Sequence, residues 1–130
     1  MKLTVLTPLK KLVEEVEIDE LYAPGVEGTL DVLPQHANFL TELETGVLKW
    51  KTEEKWSVAA MSYGWMEIFD QKITILADVA EMQSDINIDR AVAAEKVARS
   101  KIEEGGLDDS AFRKYELKLE RALSRQGATK

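Results

Sequence analysis

The hydrophobic period of this chain changes once, after Ser84, from two residues to about 3.6, and that change divides what the two parts can fold into. Before it, short runs alternate in the manner of half-buried strands. Ile73, Ile75, Ala77 and Val79 share one face of their segment, Leu48 and Trp50 alternate with Val47, Lys49 and Lys51, and Trp56, Val58 and Ala60 alternate with Ser57 and Ala59. Thr52-Glu53-Glu54 and Asp70-Gln71 are breaks the size of hairpin turns, and Pro24-Gly25, Gly28, Pro34, Gly46 and Gly64 punctuate the rest. Short strands spaced by about 8 to 12 residues predict an antiparallel β-sandwich or barrel.

After Ser84 the pattern is helical. Asn87 is a suitable N-cap for about seventeen residues rich in Ala, Glu, Lys and Arg, and Gly105-Gly106 stops them. Asp108 and Asp109 offer caps for a second helix to about Arg125, with Phe112, Tyr115, Leu119, Ala122 and Leu123 as its apolar stripe. Ala91, Ala94 and Ala98 on the first helix permit close approach, so the two form an αα-hairpin. The expected fold class is therefore α+β and mostly β, with an antiparallel sandwich over residues 1–84 and a two-helix hairpin over residues 85–130.

Charge divides at the same place. Residues 1–84 carry 7 basic and 15 acidic side chains, whereas residues 85–130 carry 10 and 9 and hold all five arginines. Lys114, Lys118, Arg121 and Arg125 fall at helical spacing and predict one basic stripe, suited to an acidic partner or a polyanion. A solvated helix face is the simpler meaning of the same pattern. The overall charge of −7 argues against general nucleic-acid binding, and the absence of cysteine excludes disulfides, thiol catalysis and thiolate metal sites. No apolar run exceeds four residues, too short to span a bilayer, and the first residues give no expectation of a signal peptide.

Catalytic motifs are weak. Ala60-Met61-Ser62-Tyr63-Gly64 approaches the G-x-S-x-G nucleophile elbow, but a strand follows it and the single histidine, His36, lies upstream, so a strand-end turn is expected. His36 has no clustered ligands, and the carboxylate pairs fall in turns, on opposite strand faces or at helix starts. From the residues alone, the chain is a sandwich with a helical hairpin that binds something. A free-standing adaptor or ligand-binding sandwich, buttressed by its helices and holding an apolar pocket of its own, fits that description.

The run Ala23-Pro24-Gly25-Val26-Glu27-Gly28-Thr29-Leu30-Asp31-Val32-Leu33-Pro34-Gln35-His36-Ala37-Asn38-Phe39-Leu40-Thr41 resembles the epsilon-subunit family of the F-type rotary ATP synthase, which reads approximately A-P-G-x-E-G-E-L-G-V-L-P-G-H-A-P-L-L-T. The resemblance continues through Gly46-Val47-Leu48, Ser62-Tyr63-Gly64, residues 73–77 with Asp78 and Glu81, and both helices. It implies a sandwich of about ten strands followed by the hairpin, in a non-catalytic central-stalk subunit coupling proton flow to ATP synthesis. It further implies docking on the gamma subunit and the c-ring, with Glu27, Gly28, Thr29, Asp31 and His36 on a loop facing the ring. Membrane contact would come only through the complex, at the cytoplasmic face of a bacterial plasma membrane. Thr29 stands where the family often has Glu, Asp31 and Gln35 where it has Gly, and Asn38 where it has Pro.

For the hairpin, the resemblance implies a regulator that either packs on the sandwich or extends into the catalytic alpha/beta head to block ATP hydrolysis, with the basic stripe meeting acidic residues there. No cofactor is required. Some members bind a regulatory ATP through a motif like I-D-x-x-R-A, matched here by Ile86, Asn87, Arg90 and Ala91 with Glu81, Arg121 and Arg125. Asn87 replaces the motif's Asp and Val97 a further arginine, so any ATP site is expected to be weak.

Overall fold

Turn chemistry and alternation together yield ten strands in the computed structural model, which describes residues 1–129; Lys130, the last residue of the expected hairpin, lies outside the described residues. The strands are β1 (Lys2–Leu6), β2 (Lys11–Glu17), β3 (Glu20–Gly25), β4 (Gly28–Val32), β5 (Phe39–Leu43), β6 (Gly46–Thr52), β7 (Lys55–Met61), β8 (Gly64–Phe69), β9 (Lys72–Ala77) and β10 (Ala80–Met82). A 3-10 turn, Gln83–Asp85, leads into helices α1 (Ile88–Glu104) and α2 (Asp109–Ala128). The architecture is a near-barrel sandwich followed by two helices.

Strand order runs β10-β7-β6-β3-β5-β8-β9-β1-β2, with β4 paired to β3 alone. The halves join through a single bridge, Gly25 to Leu43, so the path folds over and its inner faces enclose one core. Leu3, Val5, Leu21, Leu43, Leu48, Met66 and Ile75 are wholly buried there. Every pairing is antiparallel except that of β1 with β9, which is parallel in a sandwich expected to be antiparallel throughout. Period two reveals that a strand has two faces and leaves its neighbour and direction undetermined.

Two-residue turns demand positive φ, and Glu53-Glu54 (48° and 70°) and Asp70-Gln71 (50° and 62°) adopt it without glycine. Side chains from elsewhere hold these turns: Asp19 Oδ2 accepts from the Glu53 amide at 3.2 Å and Asn38 Oδ1 from the Asp70 amide at 3.0 Å. Gln35 also has positive φ, 67°, which explains glycine at the corresponding place in the family pattern, and its amide donates to Gln71 Oε1 at 2.8 Å.

The helices begin where the caps require. Asn87 Oδ1 accepts from the Arg90 amide at 3.1 Å, and Asp108 Oδ1 from the Ala111 amide at 2.7 Å. Helix α2 lies across β6 and β7, so the end of β7 is covered on both faces. Ala59 and Met61 enter the sandwich core while Ala60, between them, is buried on the hairpin side. Trp56, on the Ala60 face, lies beyond the helices, half-exposed and stacked on Tyr22 at 5.5 Å between ring centroids.

Candidate functional site

Three side chains of α2 meet the sandwich along one seam. Ser124, 8% exposed, donates from Oγ to the Gly46 carbonyl at 2.6 Å. Arg121 Nη2 donates to Asp78 Oδ2 at 3.0 Å, and Arg125 Nε to Glu81 Oε1 at 2.6 Å. Asp78 follows β9 and Glu81 lies within β10, so these acids come from the last sheet segment before the hairpin. Small residues line the approach: Ala128, one turn beyond Ser124, is buried, and Gly127 faces Val47, whose Cγ2 an added Cβ would meet at an ordinary contact distance of 3.4 Å.

The expected basic stripe is thereby divided. Arg121 and Arg125 are turned onto the sandwich, whereas Lys114 and Lys118 remain exposed, with Nζ 5.6 and 5.4 Å from the Tyr115 ring centroid. The expected apolar stripe divides as well. Ala122 is buried and Tyr115 and Leu119 are half-buried, but Phe112 and Leu123 are 44% and 42% exposed. Four-residue spacing in the sequence shows that the two arginines share a helix side, and gives no sign that acids await them.

The residues suggested for ATP partly converge. Glu81, Asp85, Asn87, Arg90, Ala91 and Arg125 line a cleft of about 190 Å³ between the 3-10 turn, α1 and α2. Ile86 is half-buried and stands outside that lining. Arg121 lies farther along the helix, beside an adjoining groove of about 420 Å³ with Ala94, Val97 and Lys118. Pockets that enclose small organic ligands start at about 300 Å³. The cleft alone falls below that size, and Asn87 and Arg125 are already engaged, by the helix cap and by Glu81.

The residues expected on one ring-facing loop are distributed along an edge instead. Residues 28–32 form strand β4, because Leu30 and Val32 turn inward to pair beside β3. Glu27, Gly28 and Thr29 lie at one end of that strand, Asp31 sits opposite Tyr22, and His36 lies beyond the far end, about 13 Å along the strand direction from Gly28 to Val32 alone. His36 Nδ1 contacts the Ala37 carbonyl at 2.8 Å, and its ring tilts against Phe39. Burial, then the hydrogen bond and charge of Glu20, raise the Asp31 carboxyl above its ordinary pKa. Its neighbour Tyr22 is also raised, first by hydrogen bonding to Glu20 and then by the charges of Asp31 and Glu20.

Ser62 is structural: it is 2% exposed and its Oγ accepts from the Val79 amide at 2.9 Å. The sandwich interior is filled with side chains, and the clefts described lie at the surface or beneath the hairpin. Opposite the hairpin, the outer face of the second layer is uncovered. Leu6, Leu76 and Trp65 are cross-strand neighbours in one row, and Leu76, Trp65 and nearby Leu40 are 52%, 51% and 64% exposed. A shallow apolar groove of about 490 Å³ runs beside them, with Pro8 and Tyr63 at its wall.

Comparison with known proteins agrees across both parts. Residues 1–83 match the family described as ATP synthase, Delta/Epsilon chain, beta-sandwich domain. The ATP synthase epsilon chains of Geotalea daltonii and Geobacter sulfurreducens are 39% and 38% identical over 125 residues, covering 96% of this chain and 90% of theirs. In a cryo-EM structure of the Euglena gracilis mitochondrial ATP synthase, with OSCP, F1 and c-ring, one chain superposes with a TM-score of 0.86 at 20% identity, covering 100% of this chain and 81% of that one. A chain of the Tetrahymena thermophila mitochondrial central stalk and c-ring gives 0.67 at 16% identity, covering 99% and 96%. At such identities the structures show a shared fold.

Proposed function

Because the chain belongs to the ATP synthase delta/epsilon family, as an epsilon chain, we propose that it docks on the gamma subunit and the c-ring and regulates ATP hydrolysis through its hairpin. Epsilon chains are non-catalytic subunits, and this one is part of the ATP synthase complex, whose coupling of proton transport to ATP synthesis it serves. No described helix is long and apolar enough to cross a membrane, and in this proposal gamma and the c-ring hold the chain at the membrane. In a bacterial cell that place is the cytoplasmic face of the plasma membrane.

The observation that carries the docking is the row Leu6, Leu76 and Trp65 with Leu40. Leu6, Leu76 and Trp65 present a continuous apolar row on the layer that the hairpin leaves bare, with exposed Leu40 diagonal to Trp65, and exposed apolar surfaces mark protein interfaces. We assign this face to gamma. The edge strand β4, with Glu27, Gly28, Thr29 and Asp31 along it, is assigned to the c-ring side. Extension of α2 would free its arginines for acidic residues of the alpha/beta head, alongside Lys114 and Lys118. ATP is a weak ligand in this reading, because a nucleotide enters the cleft only when the Glu81–Arg125 pair parts.

Calorimetric titration of the full chain into an assembly of alpha, beta and gamma subunits tests the docking. Saturable one-to-one binding is expected, and Trp65→Ser with Leu76→Ser should weaken it by about 30-fold or more, as for an interface hot spot. Absence of binding by the unaltered chain would overturn the proposal. Unchanged affinity in the double variant would move the gamma surface elsewhere.

A further inference from the structure

We propose that Arg121 and Arg125 form an exchange latch: while Asp78 and Glu81 hold them, the hairpin is folded, and the same two guanidinium groups become available to another acidic surface only when the sandwich lets go. The inference rests on reading the hairpin as regulatory and adds which contacts set its resting position.

The two arginines lie one turn apart on α2, and their acids lie three residues apart on the segment leaving the sandwich, so one helix side addresses one strand end. The side chains are partly accessible, 30% and 39% for Arg121 with Asp78 and 34% and 28% for Arg125 with Glu81. Ion pairs at such depth exchange with competitors and weaken with salt, unlike an apolar seam. Arg121 is also incompletely matched when folded: its Nε is buried without a hydrogen-bond partner. A second acidic surface able to take both nitrogens in a bidentate pair would bind this guanidinium better than Asp78 does. Arg113, by contrast, pairs with Glu116 on its own helix, a contact that moves with the hairpin and takes no part in the exchange.

The chain has no cysteine, so dyes at Glu53→Cys and Glu103→Cys, both exposed, report the distance between sandwich and hairpin by energy transfer. Adding Asp78→Asn and Glu81→Gln is expected to raise the released fraction about tenfold, two such pairs together approaching 1.4 kcal/mol. High salt should shift the unaltered chain the same way and leave the double variant nearly unmoved. Exchanging the charges, Glu81→Arg with Arg125→Glu, should restore the folded distance, and Arg113→Ala should leave it unchanged. Unaltered transfer in the double variant overturns the latch. The same variant, assembled into the ATP synthase, should hydrolyse ATP more slowly; a clear shift in transfer with unchanged hydrolysis would leave the latch standing and overturn the regulatory reading.

Discussion

Replacing Ser124 with Ala deletes a single oxygen from the seam between α2 and β6 and leaves the surrounding apolar contacts in place. The bond it removes, from Ser124 Oγ to the Gly46 carbonyl, spans 2.6 Å, while the second approach, to the Met61 carbonyl at 3.5 Å, is too long to weigh. Loss of a neutral hydrogen bond costs about 1 kcal/mol, and a carbonyl left dry in a partly buried seam adds to that, for a total of about 1.5 kcal/mol. Alanine is also the better helix former by about 0.5 kcal/mol, but that gain applies to α2 docked or lifted and cancels from the docking equilibrium. The lifted population should therefore rise roughly tenfold. Hydrogen exchange of the full chain, followed by mass spectrometry, measures it: amides of α2 should exchange about tenfold faster while those of β8 and β9 keep their rates. Unchanged exchange in α2 would show that the hydroxyl does not hold the hairpin. Equal acceleration in β8 and β9 would show that the substitution weakens the whole fold, refuting the separation of seam from sandwich.

Gly64→Ala should destabilise the sandwich by about 3 kcal/mol or more, seen as a lower thermal midpoint, because its Cβ would lie 2.0 Å from the Leu76 carbonyl oxygen and backbone must shift. Lys114→Ala with Lys118→Ala should leave the folded hairpin unchanged by hydrogen exchange and relieve inhibition of ATP hydrolysis in the assembled enzyme; persistent full inhibition would remove these lysines from the head contact. The raised Asp31 carboxyl means that the folded state holds its proton more tightly than the unfolded chain does. Its contribution therefore favours folding at pH below the ordinary carboxylate range and is lost as pH rises through the raised value. Asp31→Asn should consequently not lower stability at neutral pH, and it should bring the raised titration of Tyr22 to lower pH by ultraviolet absorbance.

Much of the site was written locally. The hairpin turns at Glu53-Glu54 and Asp70-Gln71, the caps Asn87 and Asp108, and the facing of Leu48, Trp50, Ile73 and Ile75 follow from residues within a few positions of each other. Part of the lining of the cleft beneath the hairpin is local too, since Asn87, Arg90 and Ala91 fall within about one helical turn. The size of the cleft is not, because volume depends on how closely α2 approaches α1 and on the Glu81–Arg125 pair closing one side. The stretch expected as one loop differs for a similar reason: Gly25 and Gly28 end strands at a turn, but inward Leu30 and Val32 make residues 28–32 a strand, which separates Glu27 from His36.

The sequence by itself determined that there are two parts, the period of each, and where turns and helices start, because backbone geometry, capping and side-chain alternation are short-range effects. Tertiary structure alone decided that β1 runs parallel to β9, that Ala60 is covered while Trp56 on the same face is not, and that Ser124, a residue with no motif around it, anchors α2 to Gly46. It also turned Arg121 and Arg125 inward while Lys114 and Lys118 stayed out. Periodicity states how many faces an element has, but which face is covered depends on what lies across the gap, and here Asp78 and Glu81 are 43 and 44 residues from the arginines they meet.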